Sequence, residues 1–157
     1  IKQTNNLIEI YVDGACSGNP GPAGWGAYLK YGTVTKEIFG YEIHSTNNRM
    51  EIQAAIEALK ILKRKSRIVL YTDSIYLKNG MTKWLPGWIK HNFRKNTSNP
   101  VKNIDLWEEL CELDKKHEID WQWVKGHSDN PGNDKADYLA CKGRDVAKEM
   151  LENEHDR

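Results

Sequence analysis

Two short runs of apolar residues each stop at an aspartate, and a helix-patterned stretch lies between them. Residues 7–13 (LIEIYVD) alternate apolar and polar side chains and stop at Asp13-Gly14, while residues 68–72 (IVLYT) are apolar throughout and stop at Asp73. Alternation with period two marks a half-buried strand, and a short continuous apolar run marks a strand buried on both faces. A strand that follows a helix is most simply parallel to an earlier one and reached by a crossover. The two strands then point the same way, and Asp13 and Asp73 stand at their carboxyl ends, where open α/β sheets bind ligands.

The rest of the chain fits around this pair. Residues 14–24 (GACSGNPGPAG) are rich in Gly and Pro and read as a loop. Residues 25–31 and 34–43 are aromatic and β-branched, separated by Gly32-Thr33, and read as a hairpin. Residues 47–64 predict a helix capped by Thr46 or Asn47. Residues 74–96 predict short helices broken at Gly80 and at Pro86-Gly87. A helix over 104–116 places Leu106, Trp107, Leu110 and Leu113 on one face, and 119–124 (IDWQWV) alternates as a fifth strand. A polar loop, 126–133, leads to a last helix at about 134–150, and residues 151–157 form a charged, fraying tail. The order βββ-α-β-α-α-β-α predicts one α/β domain over 1–150. Its five-stranded mixed sheet has three antiparallel strands, then parallel strands, and is flanked by helices.

Charge is uneven along the chain. The net charge is +1, yet residues 74–104 carry six basic residues and no acid, so 17 basic residues face 22 acidic ones elsewhere. Lys83, Lys90, Arg94 and Lys95 alternate with Trp84, Trp88 and Phe93. A solvated helix face explains the charges alone, but basic residues mixed with stacking rings are what a nucleic-acid surface uses. Cys16, Cys111 and Cys141 are an odd, scattered set, which excludes a disulfide framework and a CxxC metal site and predicts a cytoplasmic protein. No apolar run is long enough to span a membrane. No GxSxG, HExxH or P-loop is present, so acyl transfer, zinc proteolysis and NTP hydrolysis have no support.

Two more acids sit in the first turns of helices, Glu51 and Asp137. Singly, each of the four has an ordinary explanation as a cap, a turn residue or a complement to the helix dipole. Together they suggest another reading, because four carboxylates at one sheet edge cannot all stay ionised unaided. Oxygen-only ligands of this kind select Mg²⁺ or Mn²⁺ over zinc. His127, in the polar loop, is either a solvated side chain or a group that moves protons beside a metal-bound phosphate. The amide-rich run 46–49 (TNNR) and Asn19 are suited to sugar hydroxyls, which separate RNA from DNA.

Five ordered blocks carry a resemblance. DGACSGNPG (13–21), TNNRME (46–51), YTDS (71–74), PVKNIDLW (100–107) and WVKGH (123–127), with the later Asp137, resemble type 1 ribonuclease H in its bacterial form, over about residues 7–145. The resemblance implies a ribonuclease H-like fold and a metal-dependent endonuclease that hydrolyses the RNA strand of RNA–DNA hybrids. It implies two Mg²⁺ ions, with Mn²⁺ as a substitute, and products with 5′-phosphate and 3′-hydroxyl ends. The family's metal-binding carboxylates fall on Asp13, Glu51, Asp73 and Asp137. Asp13 would bridge both ions, Asp137 would complete the water-activating one, and Glu51 and Asp73 would hold the other. The family's mobile histidine falls on His127. Its contacts to RNA 2′-hydroxyls fall on Cys16, Asn19, Asn47 and Asn48, and its pocket for a DNA-strand phosphate on Thr46 and Asn103. Its basic handle falls on about 83–95, including Lys83, Trp84, Trp88, Lys90, Arg94 and Lys95. The implied partner is the hybrid duplex, bound by a monomer with no membrane. Ile75, where the family carries Gln, and Pro86-Gly87, inside the handle, depart from its pattern.

Two other classes compete. A hybrid-binding module without catalysis would lack one of the carboxylates, and all four are present. A DNA nuclease of the same fold would have no use for the amide run before Glu51.

Overall fold

The computed structural model describes residues 7–92, 101–126 and 129–155. Five strands form one sheet: β1 (Leu7–Cys16), β2 (Gly21–Tyr31), β3 (Val34–Ser45), β4 (Arg67–Thr72) and β5 (Glu118–Trp123), in the spatial order β3-β2-β1-β4-β5. The first three are antiparallel, and β4 and β5 run parallel to β1. The mixed five-stranded sheet predicted from the order of elements is therefore the one that forms. Helix α1 (Asn47–Lys60) supplies the crossover from the antiparallel strands to β4. Its cap is Thr46, whose Oγ1 accepts from the Arg49 N–H at 3.2 Å.

Strand alternation sorts the helices onto two faces. Ile10 and Val12 of β1 enter the main core, and Gly14, on the same face, lies against α1. Tyr11, Asp13 and Ala15 face the other way, toward α5 (Pro131–His155), which packs on Gly24 and Gly26 of β2. The core between the sheet and α1 is closed by α4 (Ile104–Lys115), whose Trp107 is fully buried. Removing large apolar side chains of this kind from water is the dominant favourable contribution to folding.

Several expected boundaries differ. The stretch 14–24 was expected to be a loop, but β1 runs on to Cys16 and β2 starts at Gly21. Its glycines mark close approach as well as turns: a Cβ on Gly14 would lie 2.7 Å from the Met50 Cβ, and one on Gly24 would meet the α5 backbone at Gly143 and Arg144. Gly80 does not break the chain either. Helix α2 (Ile75–Asn79) passes through a π-helical turn, Gly80–Trp84, directly into α3 (Leu85–Lys90). Gly80 is required there because a Cβ would strike the Trp107 indole. Pro86-Gly87 does not end the segment either: both lie inside α3, with Pro86 in its first turn. The last helix starts at Pro131 and continues through His155, so residues 151–155 are helical where a fraying tail was expected. Asn130 caps it, its Oδ1 accepting from the Asn133 N–H at 3.0 Å.

Candidate active site

Asp13, Glu51 and Asp73 converge. Ligand oxygens of the three lie within 4.8 Å of one another. Asp13 comes from β1 and Asp73 follows directly on β4, so parallel pairing of Val12 with Thr72 places both acids at the same edge. Glu51 arrives from the first turns of α1, and the absence of a side chain on Gly14 lets that turn approach β1. The Gly14 N–H then donates to both Asp13 Oδ1 (2.9 Å) and Glu51 Oε2 (3.1 Å). Asp73 is bordered by Gly126, where a Cβ would stand 2.8 Å from Asp73 Oδ2, and its carbonyl accepts from Trp123 Nε1 at 3.0 Å.

The cluster is buried as well as acidic: Asp13 is 4% exposed and Glu51 7%. Burial pushes the Asp13 carboxyl up to about 8, and the charges of Asp73 and Asp137 add to this, against the hydrogen bonds from Glu51 and Gly14. Glu51 is raised well above the ordinary carboxylate range, first by burial and then by the charge of Asp13. Without a counter-charge the two therefore favour sharing a proton. Glu51 Oε1 is buried and, among the described residues, has no hydrogen-bond partner, an arrangement that costs free energy unless something supplies positive charge. Carboxylate oxygens alone make up the donor set, which fits a hard divalent cation.

Asp137 does not belong to the 4.8 Å group. It projects from α5, on the other side of the sheet from α1, close enough for its charge to raise Asp13. The Cys141 thiol lies one turn further on, 3.9 Å from Asp137 Oδ1. The structure thus brings three of the predicted carboxylates together and sets the fourth beside them. His127 lies outside the described residues, as do Arg94 and Lys95 of the predicted handle.

The amide-rich elements meet at one corner. Asn19, Asn47 and Asn48 are exposed, and Asn19 Oδ1 accepts from the Asn47 N–H at 3.1 Å, which ties the β1–β2 turn to the start of α1. The Cys16 thiol, which burial pushes up, points toward the carbonyls of Gly18 in that turn (3.2 Å) and of Ser45 at the end of β3 (3.4 Å). Asn103, in the left-handed region at φ 61°, has both ends of its side chain engaged. Its Oδ1 accepts from Arg49 Nη1 (3.2 Å), and its Nδ2 donates to the Tyr76 hydroxyl (3.0 Å). Arg49 also grips Asp105 with two bonds of 3.0 and 2.7 Å. The pairing of Arg49 with Asp105 and the role of Tyr76 were not foreseen. The pair is 56 residues apart and carries no local signal.

The handle segment divides its labour. Lys83 and Lys90 are exposed. Its rings mostly pack inward: Trp88 lies 5.0 Å from Trp107, and Tyr76 lies 5.3 Å from Trp107 and 5.8 Å from Trp84, between ring centroids. Trp84, 38% exposed, forms the rim of this aromatic stack. Ile75 stands 60% exposed in the first turn of α2, two residues after Asp73.

Known proteins share both the sequence and the architecture. A family model described as RNase H matches residues 5–145. Ribonuclease H of Rickettsia akari is 57% identical over 147 residues, covering 94% of this chain and 97% of its own length. Ribonuclease HI of Rickettsia conorii is 56% identical with the same coverage. Among solved structures, LC9-RNase H1, a type 1 RNase H with the type 2 active-site motif, matches with a TM-score of 0.83 at 29% identity. That match covers 94% of this chain and 76% of the other. LC11-RNase H1 in complex with RNA/DNA hybrid shares the fold, with a TM-score of 0.66 at 22% identity over 89% of this chain and 98% of its own.

Proposed function

The chain belongs to the RNase H family, as a bacterial type 1 ribonuclease H, and from that membership we propose that it hydrolyses the RNA strand of RNA–DNA hybrids endonucleolytically, leaving 5′-phosphate and 3′-hydroxyl ends. The observation that carries the proposal is the meeting of Glu51 of α1 with Asp13 and Asp73, at the carboxyl ends of two parallel strands, within 4.8 Å, with Glu51 Oε1 left unpartnered among the described residues.

Asp13, Glu51, Asp73 and Asp137 are the residues that would hold two divalent cations, Mg²⁺ or in its place Mn²⁺. Such ions, once bound, supply charge neutralisation at the scissile phosphate and lower the pKa of water. The Gly14 N–H fixes the orientation of Asp13 and Glu51, so that their free oxygens face the same space. Asn19, Asn47 and Asn48, exposed around the α1 N-terminus, offer amides to successive 2′-hydroxyls, and Cys16 shapes the turn that carries Asn19. Thr46 and Asn103 receive a phosphate of the DNA strand, with Asn103 held by Arg49 and Tyr76. The exposed lysines of the handle follow the duplex backbone and add sequence-independent affinity. His127 moves a proton or speeds product release. We assign the activity to a cytoplasmic monomer, in keeping with three free cysteines. Among the described residues no helix is long and apolar enough to cross a membrane.

The test is a substrate panel: labelled hybrid, duplex RNA and duplex DNA, each with and without Mg²⁺. Mg²⁺-dependent cleavage confined to the RNA of the hybrid is the expected result. Cleavage of duplex DNA at a similar rate would instead support a DNA nuclease of the same fold.

A further inference from the structure

Parallel pairing of β4 with β5 stops one residue short of Asp73. Its register ends with Thr72 opposite Trp123, and a backbone bond from the Val124 N–H to the Thr72 carbonyl closes it at 2.9 Å. Asp73 thus lies just beyond the regular ladder, beside an edge strand. Side chains take over from there. Trp123 Nε1 donates to the Asp73 carbonyl at 3.0 Å, and the Ser74 N–H donates to Thr72 Oγ1 at 3.0 Å. That carbonyl and that N–H belong to one planar peptide unit. Both of its polar groups are therefore held by side chains, one from each strand. Immediately afterwards the chain turns into α2, which Ser74 caps by accepting from the Leu77 N–H at 3.0 Å.

Core packing does not account for an indole at position 123. Ile119, Trp121 and Trp123 alternate onto one face of β5. Trp121 belongs to the core at 7% exposed, whereas Trp123 is 42% exposed. Apolar contact with α2, which packs against β5, needs a ring but not an N–H. At this exposure water can satisfy an indole N–H, so burial does not force the donor onto a protein acceptor. Its direction toward Asp73 is a specific feature of the site's border, next to the close approach of Gly126 to the Asp73 carboxylate.

We propose that Trp123 is a positioning residue for Asp73: its indole N–H sets the Asp73–Ser74 peptide plane, and with it the place from which the Asp73 carboxylate meets Asp13 and Glu51. The ligand oxygens of the three then stand together before any cation arrives. The consequence for a cation rests on the metal reading given above. Groups that orient a ligand without touching the metal are typically worth about 10–100-fold in metal affinity. Hybrid affinity in the absence of metal should not depend on Trp123.

Trp121 supplies the control. It lies two residues earlier on the same face, and its Nε1 donates to Asp114 Oδ1 of α4 at 3.1 Å rather than to the cluster. Trp123→Phe and Trp121→Phe each remove one indole N–H and keep a ring. Trp123→Phe should melt in EDTA within about 4 °C of wild type, while Trp121→Phe, in the core, should fall further. Amide exchange and a titration with Mg²⁺ alone, both followed by NMR on the full chain, separate the two. In EDTA the Ser74 amide should exchange about tenfold faster in Trp123→Phe and change by less than about twofold in Trp121→Phe, because that amide opens locally. The Kd for Mg²⁺ should rise by about tenfold or more in Trp123→Phe and stay within about twofold in the less stable Trp121→Phe. Cleavage by Trp123→Phe should need correspondingly more Mg²⁺ but reach nearly the wild-type kcat at saturation. An unchanged Ser74 amide in Trp123→Phe overturns the proposal, as does wild-type affinity for Mg²⁺. Equal weakening in Trp121→Phe also overturns it, by reducing the effect to general loosening. Absence of saturable Mg²⁺ binding by the wild type would strike the metal reading instead, and the Ser74 exchange rate would still decide the role of Trp123.

Discussion

Asp13 is held by the fold against its own charge, and that sets two predictions. Its ordinary value is 3.8, and burial raises it to about 8. Between these values the folded protein keeps a proton that the unfolded chain has lost, so in EDTA stability falls as pH rises from about 4 to about 8. Asp13→Asn removes this burden. The variant should melt higher than wild type at pH 8 in EDTA by at least about 2–4 °C, the equivalent of 1 kcal/mol for a chain of this size, and the gain should vanish near pH 4. A constant difference in Tm across that range would show that Asp13 is not the group that titrates. The same variant should lose nearly all turnover while still binding hybrid, since it removes one central carboxylate and leaves the surface intact. His127→Ala, by contrast, should slow turnover by roughly 10²-fold, the usual worth of a proton-transfer group, with Mg²⁺ dependence unchanged. Collapse of Mg²⁺ affinity in that variant would make His127 a ligand.

At the scale of elements, the decisive contact is that between β1 and α1. Gly14→Ala would place a Cβ 2.7 Å from the Met50 Cβ and 2.9 Å from the Glu51 nitrogen. The helix must then shift, carrying Glu51 away from Asp13. A loss of about 1–3 kcal/mol of stability is expected from such overpacking, together with a fall in kcat that added Mg²⁺ does not restore. Denaturant melts and single-turnover kinetics measure the two. The α2–α3 segment acts separately. Replacing Lys83, Lys90, Arg94 and Lys95 by alanine should flatten the plot of log K against log salt by about 0.9 for each true phosphate contact, on the B-DNA scale, and leave cleavage at saturating hybrid nearly unchanged. Equal slopes would reduce the segment to a solvated helix face, since most of its rings already serve the core around Trp107.

For the whole molecule, a bound divalent cation is also a stabiliser. Mg²⁺ at about 100 times its dissociation constant should add about 2.7 kcal/mol to the folded state, provided it binds the folded form alone. Tm should therefore climb with Mg²⁺ concentration in wild type and respond less in Asp13→Asn. The β-rich part of the fold was legible in the sequence because strand alternation and apolar runs have short periods, readable over seven residues at 7–13 and five at 68–72. The same local pattern placed Asp13 and Asp73 at strand ends, and the run before Glu51 announced a helix cap. The local pattern misleads at Gly14, Gly24 and Gly80, where glycine resembles a turn signal but serves to let another element come close.

The chain by itself thus determined the type and order of its elements, the identity of four acidic side chains, and the amides near the first helix, because each depends on neighbours within a few residues. Tertiary structure alone decided that Glu51 meets Asp13 and Asp73 within 4.8 Å while Asp137 stands outside the group. It alone joined Arg49 to Asp105 and brought Arg64, Lys65 and Arg67 to one pocket with Ile8, Tyr31 and Glu118. Those relations depend on how far a crossover helix settles onto a sheet and on which Cβ atoms are absent at the contact. Such distances are fixed by packing between segments far apart in the chain, and no local period encodes them.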